Sequence, residues 1–180
     1  MNKISFSNRG FTLVEVLAAI FIIGVLSTVI LLNYRTGQDE AKLTRSAAAF
    51  EADLRRAQNL AVSSTDFNGL IPCGYGIGYA DNRTYSIYVG QLGGLTSCQA
   101  TNHNYESGID SIFQSSRIIE QGVIFTTSFA DIFFEPPDPA TYINNSKAAG
   151  VSVTVNLCLE ADLTKCRNLT IDTAGRITIQ

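Results

Sequence analysis

The stretch Arg9-Gly10-Phe11-Thr12-Leu13-Val14-Glu15 is followed by nineteen residues that carry no charge. From Phe11 to Leu32 the only polar members are Thr12, Glu15, Ser27 and Thr28. At 1.5 Å per residue those 22 residues make a helix of about 33 Å, which matches a hydrocarbon core. Lys3 and Arg9 precede it, so the positive-inside tendency leaves the short N-terminus in the cytoplasm and the rest outside. No A-x-A-like site follows the run, which argues against an ordinary secretory signal peptide. A plain signal anchor fits the topology but leaves Glu15 unexplained. A carboxylate at that depth is costly and usually marks function.

Four cysteines, Cys73, Cys98, Cys158 and Cys166, all lie beyond this segment. An even number in a translocated domain points to two disulfides in an oxidising compartment. The spacings of 25, 60 and 8 lack the close pairs that a zinc site needs. Of the three connectivities, local pairing is expected, Cys73–Cys98 and Cys158–Cys166, because each pair flanks a strand turn. The chain has a formal charge of −3, and without Lys3 and Arg9 it has 11 basic and 16 acidic side chains. An acidic head has no general attraction for nucleic acid or anionic lipid.

Gly10-Phe11-Thr12-Leu13-Val14-Glu15 resembles the class III signal of type IV pilins and type II secretion pseudopilins. The resemblance implies that a prepilin peptidase cuts between Gly10 and Phe11 and methylates the new N-terminal Phe11. Residues 1–10 are then the leader, and Glu15 is the partner of a neighbouring subunit's N-terminal amine during filament assembly. An apolar medium strengthens that attraction and penalises an unpaired carboxylate. Many family members carry a proline where this chain has Leu32, so no kink is expected there. Gly24 and Gly37 remain weak points of the helix.

Beyond Asn33 the apolar pattern becomes periodic. Leu43, Ala47, Phe50, Leu54, Ala57 and Ala61 recur at steps of four and three, one stripe of a helix that packs on a sheet. Arg45, Glu51, Asp53, Arg55 and Arg56 read as its solvated faces, with Glu51–Arg55 and Asp53–Arg56 as ion pairs. One helix is expected from about Phe11 to about Val62, with 11–32 as the transmembrane and filament-core part and 33–62 as the amphipathic part. Leu54-Arg55-Arg56-Ala57 is similar to a leucine-arginine-alanine signature of GspH/FimT-type members.

Residues 63–180 read as a β-rich head. Gly76–Ala80 and Thr84–Val89 form a hairpin around Asp81-Asn82-Arg83. Gly76-x-Gly78 lacks the third glycine and the helix of a nucleotide loop. Residues 91–114 read as an exposed loop. Ile118-Ile119 to Phe125 and Ile132-Phe133-Phe134 are short strands, and Pro136-Pro137-Asp138-Pro139 breaks the ladder. Val151 to Leu157, Leu169-Thr170-Ile171 and Ile177-Thr178-Ile179 alternate as a three-stranded meander. Gly175-Arg176 resembles the C-terminal hairpin of GspH/FimT-type heads, some of which bind DNA. Here Thr178 stands where a second arginine would be needed, so Arg176 is the one candidate for a weak DNA contact.

No catalytic constellation stands out. His103 reads as a surface-loop histidine, and Asp131, Glu135 and Asp138 fit no calcium loop. No cofactor and no metal is expected. The resulting reading is an α+β pilin-like protein whose long N-terminal helix packs against antiparallel sheets. It would be a minor subunit of a type II secretion pseudopilus, held in the bacterial inner membrane with its head in the periplasm. Its partners would be other pilins or pseudopilins, the prepilin peptidase and an inner-membrane assembly platform. The rivals are a type IV pilus minor pilin for adhesion, motility or DNA uptake, and a membrane-anchored binding or catalytic domain that works without filaments.

Overall fold

The computed structural model describes residues 10–92, 98, 102–136 and 140–180, with side chains at all of these except 29, 31–36, 115 and 116. Lys3, Arg9, Asp138 and most of the 93–101 stretch lie outside the described residues. The chain divides into two compact units, residues 1–40 and 41–180. A helix, α1, covers Leu13–Val62. It ends where Ser64 takes a left-handed φ of 45°. There the Thr65 N–H bonds to the Leu60 carbonyl and the Ser64 N–H to the Ala61 carbonyl, the paired closure that satisfies a helix's last carbonyls.

Among the described residues the second unit holds nine strands in two antiparallel sheets. The larger sheet has the order β3-β2-β1-β5-β6, from β1 (Tyr75–Tyr79), β2 (Thr84–Val89), β3 (Ser111–Ile118), β5 (Ile132–Glu135) and β6 (Ala140–Ile143). The smaller has the order β4-β7-β8-β9, from β4 (Val123–Phe125), β7 (Ser152–Leu159), β8 (Asp162–Asp172) and β9 (Ile177–Ile179). The α+β architecture expected from the sequence is the one present.

One core joins the helix to both sheets. Leu43, Ala47, Phe50, Leu54, Ala57 and Ala61 are all buried with Tyr75, Ile77 and Ile87 of the larger sheet and Val155, Leu157, Leu169 and Ile171 of the smaller. Phe50 is central. Its ring lies edge-on to Tyr85, Phe125 and Phe129 at centroid distances of 4.9, 5.8 and 5.5 Å, the geometry that aromatic quadrupoles favour. The small alanines of the stripe let backbone and strands come close, so the layers interdigitate at interior density.

Four expectations need correcting. Residues 111–114 belong to β3 rather than to a loop, because Ser111 to Ile118 pair with β2 along the sheet edge. Long-range pairing overrides the weak strand preference of Gln114, Ser115 and Ser116. Ile119–Gly122 is a turn between β3 and β4, not a strand interior. The meander carries a fourth strand, since β4 pairs with β7 from Val123↔Leu159 to Phe125↔Leu157. Asp53 is not on a solvated face: it is 4% exposed. At 100° per residue it sits only about 60° around the helix from Phe50. It pairs with Arg117 instead of Arg56 (Nε to Oδ2, 2.7 Å) and accepts a second bond from the Tyr85 hydroxyl at 2.6 Å. Arg56 lies over the Phe113 ring at 5.6 Å and donates to Gln114.

Leu54 is fully buried and Arg55 is an exposed partner of Glu51. Leu54→Ala should therefore cost about 2–5 kcal/mol of stability, and Arg55→Ala less than about 1 kcal/mol. Denaturant unfolding followed by near-ultraviolet circular dichroism of the tyrosines checks this; equal losses would contradict a core centred on the helix stripe.

Candidate processing and assembly site

Gly10 and Phe11 precede the first helical residue, Leu13, and the Phe11 side chain is 86% exposed. Both sides of the Gly10–Phe11 bond are thus exposed and outside the helix, as cleavage by a peptidase requires. Thr12 then closes the helix start. The Glu15 N–H donates to Thr12 Oγ1 at 3.3 Å, while the Thr12 N–H and hydroxyl each donate to Glu15 Oε2 at 2.9 Å. This reciprocal arrangement is a capping box, Thr-x-x-Glu, which satisfies helix-end donors that have no partner within the helix.

Glu15 therefore has a local role that the sequence reading did not assign. The signal was available, because Thr12-Leu13-Val14-Glu15 has the spacing of that motif. Around it Leu13, Val14, Leu17, Ile20, Phe21, Ile22, Ile23 and Leu26 are more than half exposed. A continuous apolar surface of this kind marks a contact with lipid or with other protein. The Thr28 hydroxyl turns back to the Gly24 carbonyl at 2.9 Å, which leaves it internally satisfied. Among the described residues no helix is long and apolar enough to cross a membrane; side chains are described without a break from Gly10 to Thr28.

In the second unit, Cys73 is bonded to Cys98 and Cys158 to Cys166. The second bridge joins directly opposed residues of β7 and β8. Arg176 is turned onto its own hairpin: Nε and Nη2 donate to Asp172 Oδ2 at 3.1 and 2.9 Å, and its N–H to Oδ1. A guanidinium committed in this way brings little net charge to a phosphate.

His103 is not a surface residue. It is 6% exposed, with its ring stacked on Tyr142 at 3.7 Å and Nδ1 2.8 Å from Asn145 Oδ1. Its carbonyl accepts from the Tyr88 hydroxyl. The cause is a second apolar cluster, Tyr88, Phe133 and Tyr142, on the sheet face away from the helix. Gly76 gives the Tyr88 ring its room, since a Cβ there would lie 2.3 Å from Tyr88 Cζ. Glu135 accepts from the Tyr142 hydroxyl, and Asp131 accepts the Tyr105 N–H at 2.9 Å. Among the described residues no group of three or more His, Cys, Asp or Glu side chains could hold a metal ion.

Residues 5–31 match the family model described as the prokaryotic N-terminal methylation motif. The chain thus carries the N-terminus of a type IV pilin-like or pseudopilin subunit, of the kind a prepilin peptidase processes. No curated protein and no solved structure matches the chain.

Among the acids of the second unit, Asp131 is held above the ordinary carboxylate range, mainly by burial, against the pull of the Tyr105 N–H. A raised folded value means that the folded state holds its proton more tightly than the unfolded one. That contribution is present below the ordinary value and lost as pH rises through the folded one. Asp131→Asn keeps an acceptor for Tyr105 and removes the buried charge. It should raise the denaturation midpoint at pH 7, with the gain shrinking as pH falls towards about 4 and absent below it. A destabilised variant at pH 7 would show that the charge is needed.

Proposed function

We propose that this chain is a minor pseudopilin of GspH/FimT type, which assembles into a type II secretion pseudopilus after removal of residues 1–10. The observation that carries the reading is the junction itself. An accessible Gly10–Phe11 bond stands immediately before a helix whose only early charge, Glu15, lies in an otherwise apolar surface. Processing there creates an α-amine at Phe11, four residues from the carboxylate and next to Thr12.

In this reading residues 11–32 hold the subunit in the inner membrane with the N-terminus cytoplasmic and the head in the periplasm. The positive charges of Lys3 and Arg9 support that orientation. Residues 33–62 then link the anchor to the head and form its spine. The same apolar surface later packs among the helices of other subunits. Within one subunit the Glu15 carboxylate already accepts two bonds from Thr12, which lowers the cost of holding it in lipid. A neighbour's Phe11 amine would add an opposite charge. A register that brings amine to carboxylate is favoured, and other registers leave both charges uncompensated.

The minor role is supported by the leucine-arginine-alanine stretch at Leu54–Ala57 and by the Gly175-Arg176 hairpin. The acidic balance of the head and the Asp172 partner of Arg176 weigh against DNA uptake, and no feature of the head asks for a reaction. The work is assembly, with other pseudopilins, the prepilin peptidase and a membrane platform as partners.

Glu15→Ala and Glu15→Leu test the proposal in cells that build the filament. The variants should be processed and remain in the membrane fraction, while incorporation into sheared filaments falls about tenfold or more, the equivalent of ~1.4 kcal/mol per subunit. Incorporation at the wild-type level would sink the proposed role of Glu15.

A further inference from the structure

Helix α1 carries a second stripe that the core does not use. Ala48, Ala52, Arg55, Asn59 and Val62 recur at steps of four and three on the side of the helix away from Phe50, and all are exposed. The outer face of a solvated helix is normally charged or polar. Here alanines and Val62, itself 48% exposed, stand between arginines. The stripe from Ala52 to Val62 borders, with Arg56, a groove of about 690 Å³. The Arg56 guanidinium lies 5.6 Å over the Phe113 ring, and its Nη1 donates to Gln114 Oε1 at 2.9 Å. An aromatic ring and a neutral amide thus hold it in place. Among the described residues no carboxylate pairs with it. The acids on the same stretch of helix are taken, Glu51 by Arg55 and Asp53 by Arg117.

We propose that this face of α1 docks a helix of a different pilin-like subunit, with a carboxylate of that helix seated on Arg56. The inference rests on the assembly role proposed above and gives the head a partner. Ala48 and Ala52 leave a furrow along the four-residue row of the helix, into which the side chains of a second helix fit. Charge decides between occupants. A second copy would bring Arg55 and Arg56 against the same two arginines without an uncommitted acid on this face, and like charges brought together oppose docking. A lipid surface is recognised by clusters of about four to eight basic residues, and this groove has one guanidinium without a carboxylate. An acidic helix supplies the missing charge. A guanidinium already oriented by its neighbours accepts a carboxylate in a two-point bond at little ordering cost.

The test places the photocrosslinker p-benzoylphenylalanine at Ala52 or Asn59 of the full chain, in cells that build the filament. Either position should give an adduct with a second pilin-like protein, within a helical segment that carries Asp or Glu within one turn of the crosslinked residue. Arg56→Glu should lower the adduct yield at least about tenfold, and Arg56→Gln should lower it less. Changing the partner's acid to arginine should restore the adduct of Arg56→Glu. Arg56 is exposed and has no ion pair, so both variants should keep the wild-type unfolding midpoint and show that they fold. Adducts are counted in the membrane and filament fractions, and the N-terminal mass is read in the same samples. A Phe11 start and normal incorporation without an adduct overturn the docking face and leave the assembly reading standing. An adduct formed by a chain that keeps Met1 and stays out of filaments contradicts the assembly reading and keeps the docking face. No adduct in either fraction, an adduct only with a second copy or only with lipid, or an equal yield in Arg56→Glu would overturn the proposal.

Discussion

The head depends on a single contact, the burial of the helix stripe from Leu43 to Ala61 between two sheets that otherwise share no edge. Each sheet offers an apolar face to the helix, and neither could leave that face in water. Full burial of a Leu or Phe side chain is worth about 1.5–3 kcal/mol, and the stripe contributes three such residues, Leu43, Phe50 and Leu54. Phe50 meets Tyr85 of the larger sheet and Phe125 of the smaller, so one ring ties the two sheets to the helix. The price of this close approach is one buried charge. Asp53 is carried under the sheet on the stripe's flank, and Tyr85 and Arg117 converge on it. Burial and the bond to Asp53 push the Tyr85 hydroxyl well above its ordinary value, so it stays a donor at any ordinary pH.

The outer face of the larger sheet meets the same constraint by different means. Among the described residues no helix covers it, and Tyr88, Phe133 and Tyr142 are roofed by the segment that carries His103 and Tyr105. Backbone and side-chain bonds secure that roof. The Tyr88 hydroxyl bonds the His103 carbonyl, Asp131 holds the Tyr105 N–H, and Asn145 caps His103. The Cys73–Cys98 bridge ties the chain back to the residue two before β1. These devices give His103 and Asp131 structural work.

Much of this was legible in the sequence, for a physical reason. The stripe repeats at helical period, and β7 to β9 alternate at period two, so local pattern and final packing agree. The hairpin Tyr75–Val89 is marked by Asp81-Asn82-Arg83, where the Asp81 side chain accepts from the N–H groups of Arg83 and Thr84. What failed was set by distant partners. Ser111–Gln114 ends a Gly-, Ser- and Asn-rich stretch and has only Ile112 and Phe113 to mark a strand, which forms because β2 offers its edge. His103 sits in a polar stretch and is buried only because Tyr142, some forty residues on, supplies its stacking face. Asp53 looks like any charged helix residue until Arg117 arrives from β3. The capping box differs: Thr12 and Glu15 stand at the motif's spacing, and the partner is three residues away, not distant.

Glu15 holds the first turn of its own helix, and in the proposed reading it also meets the amine that processing would create one residue before Thr12. That second role rests on the chain being cut between Gly10 and Phe11. The most direct measurement is intact-mass and N-terminal fragment mass spectrometry of the membrane-bound chain from a host with a prepilin peptidase. The account predicts a mature chain that begins at N-methylated Phe11. A chain that retains Met1, or one cut beyond Leu32, would contradict it.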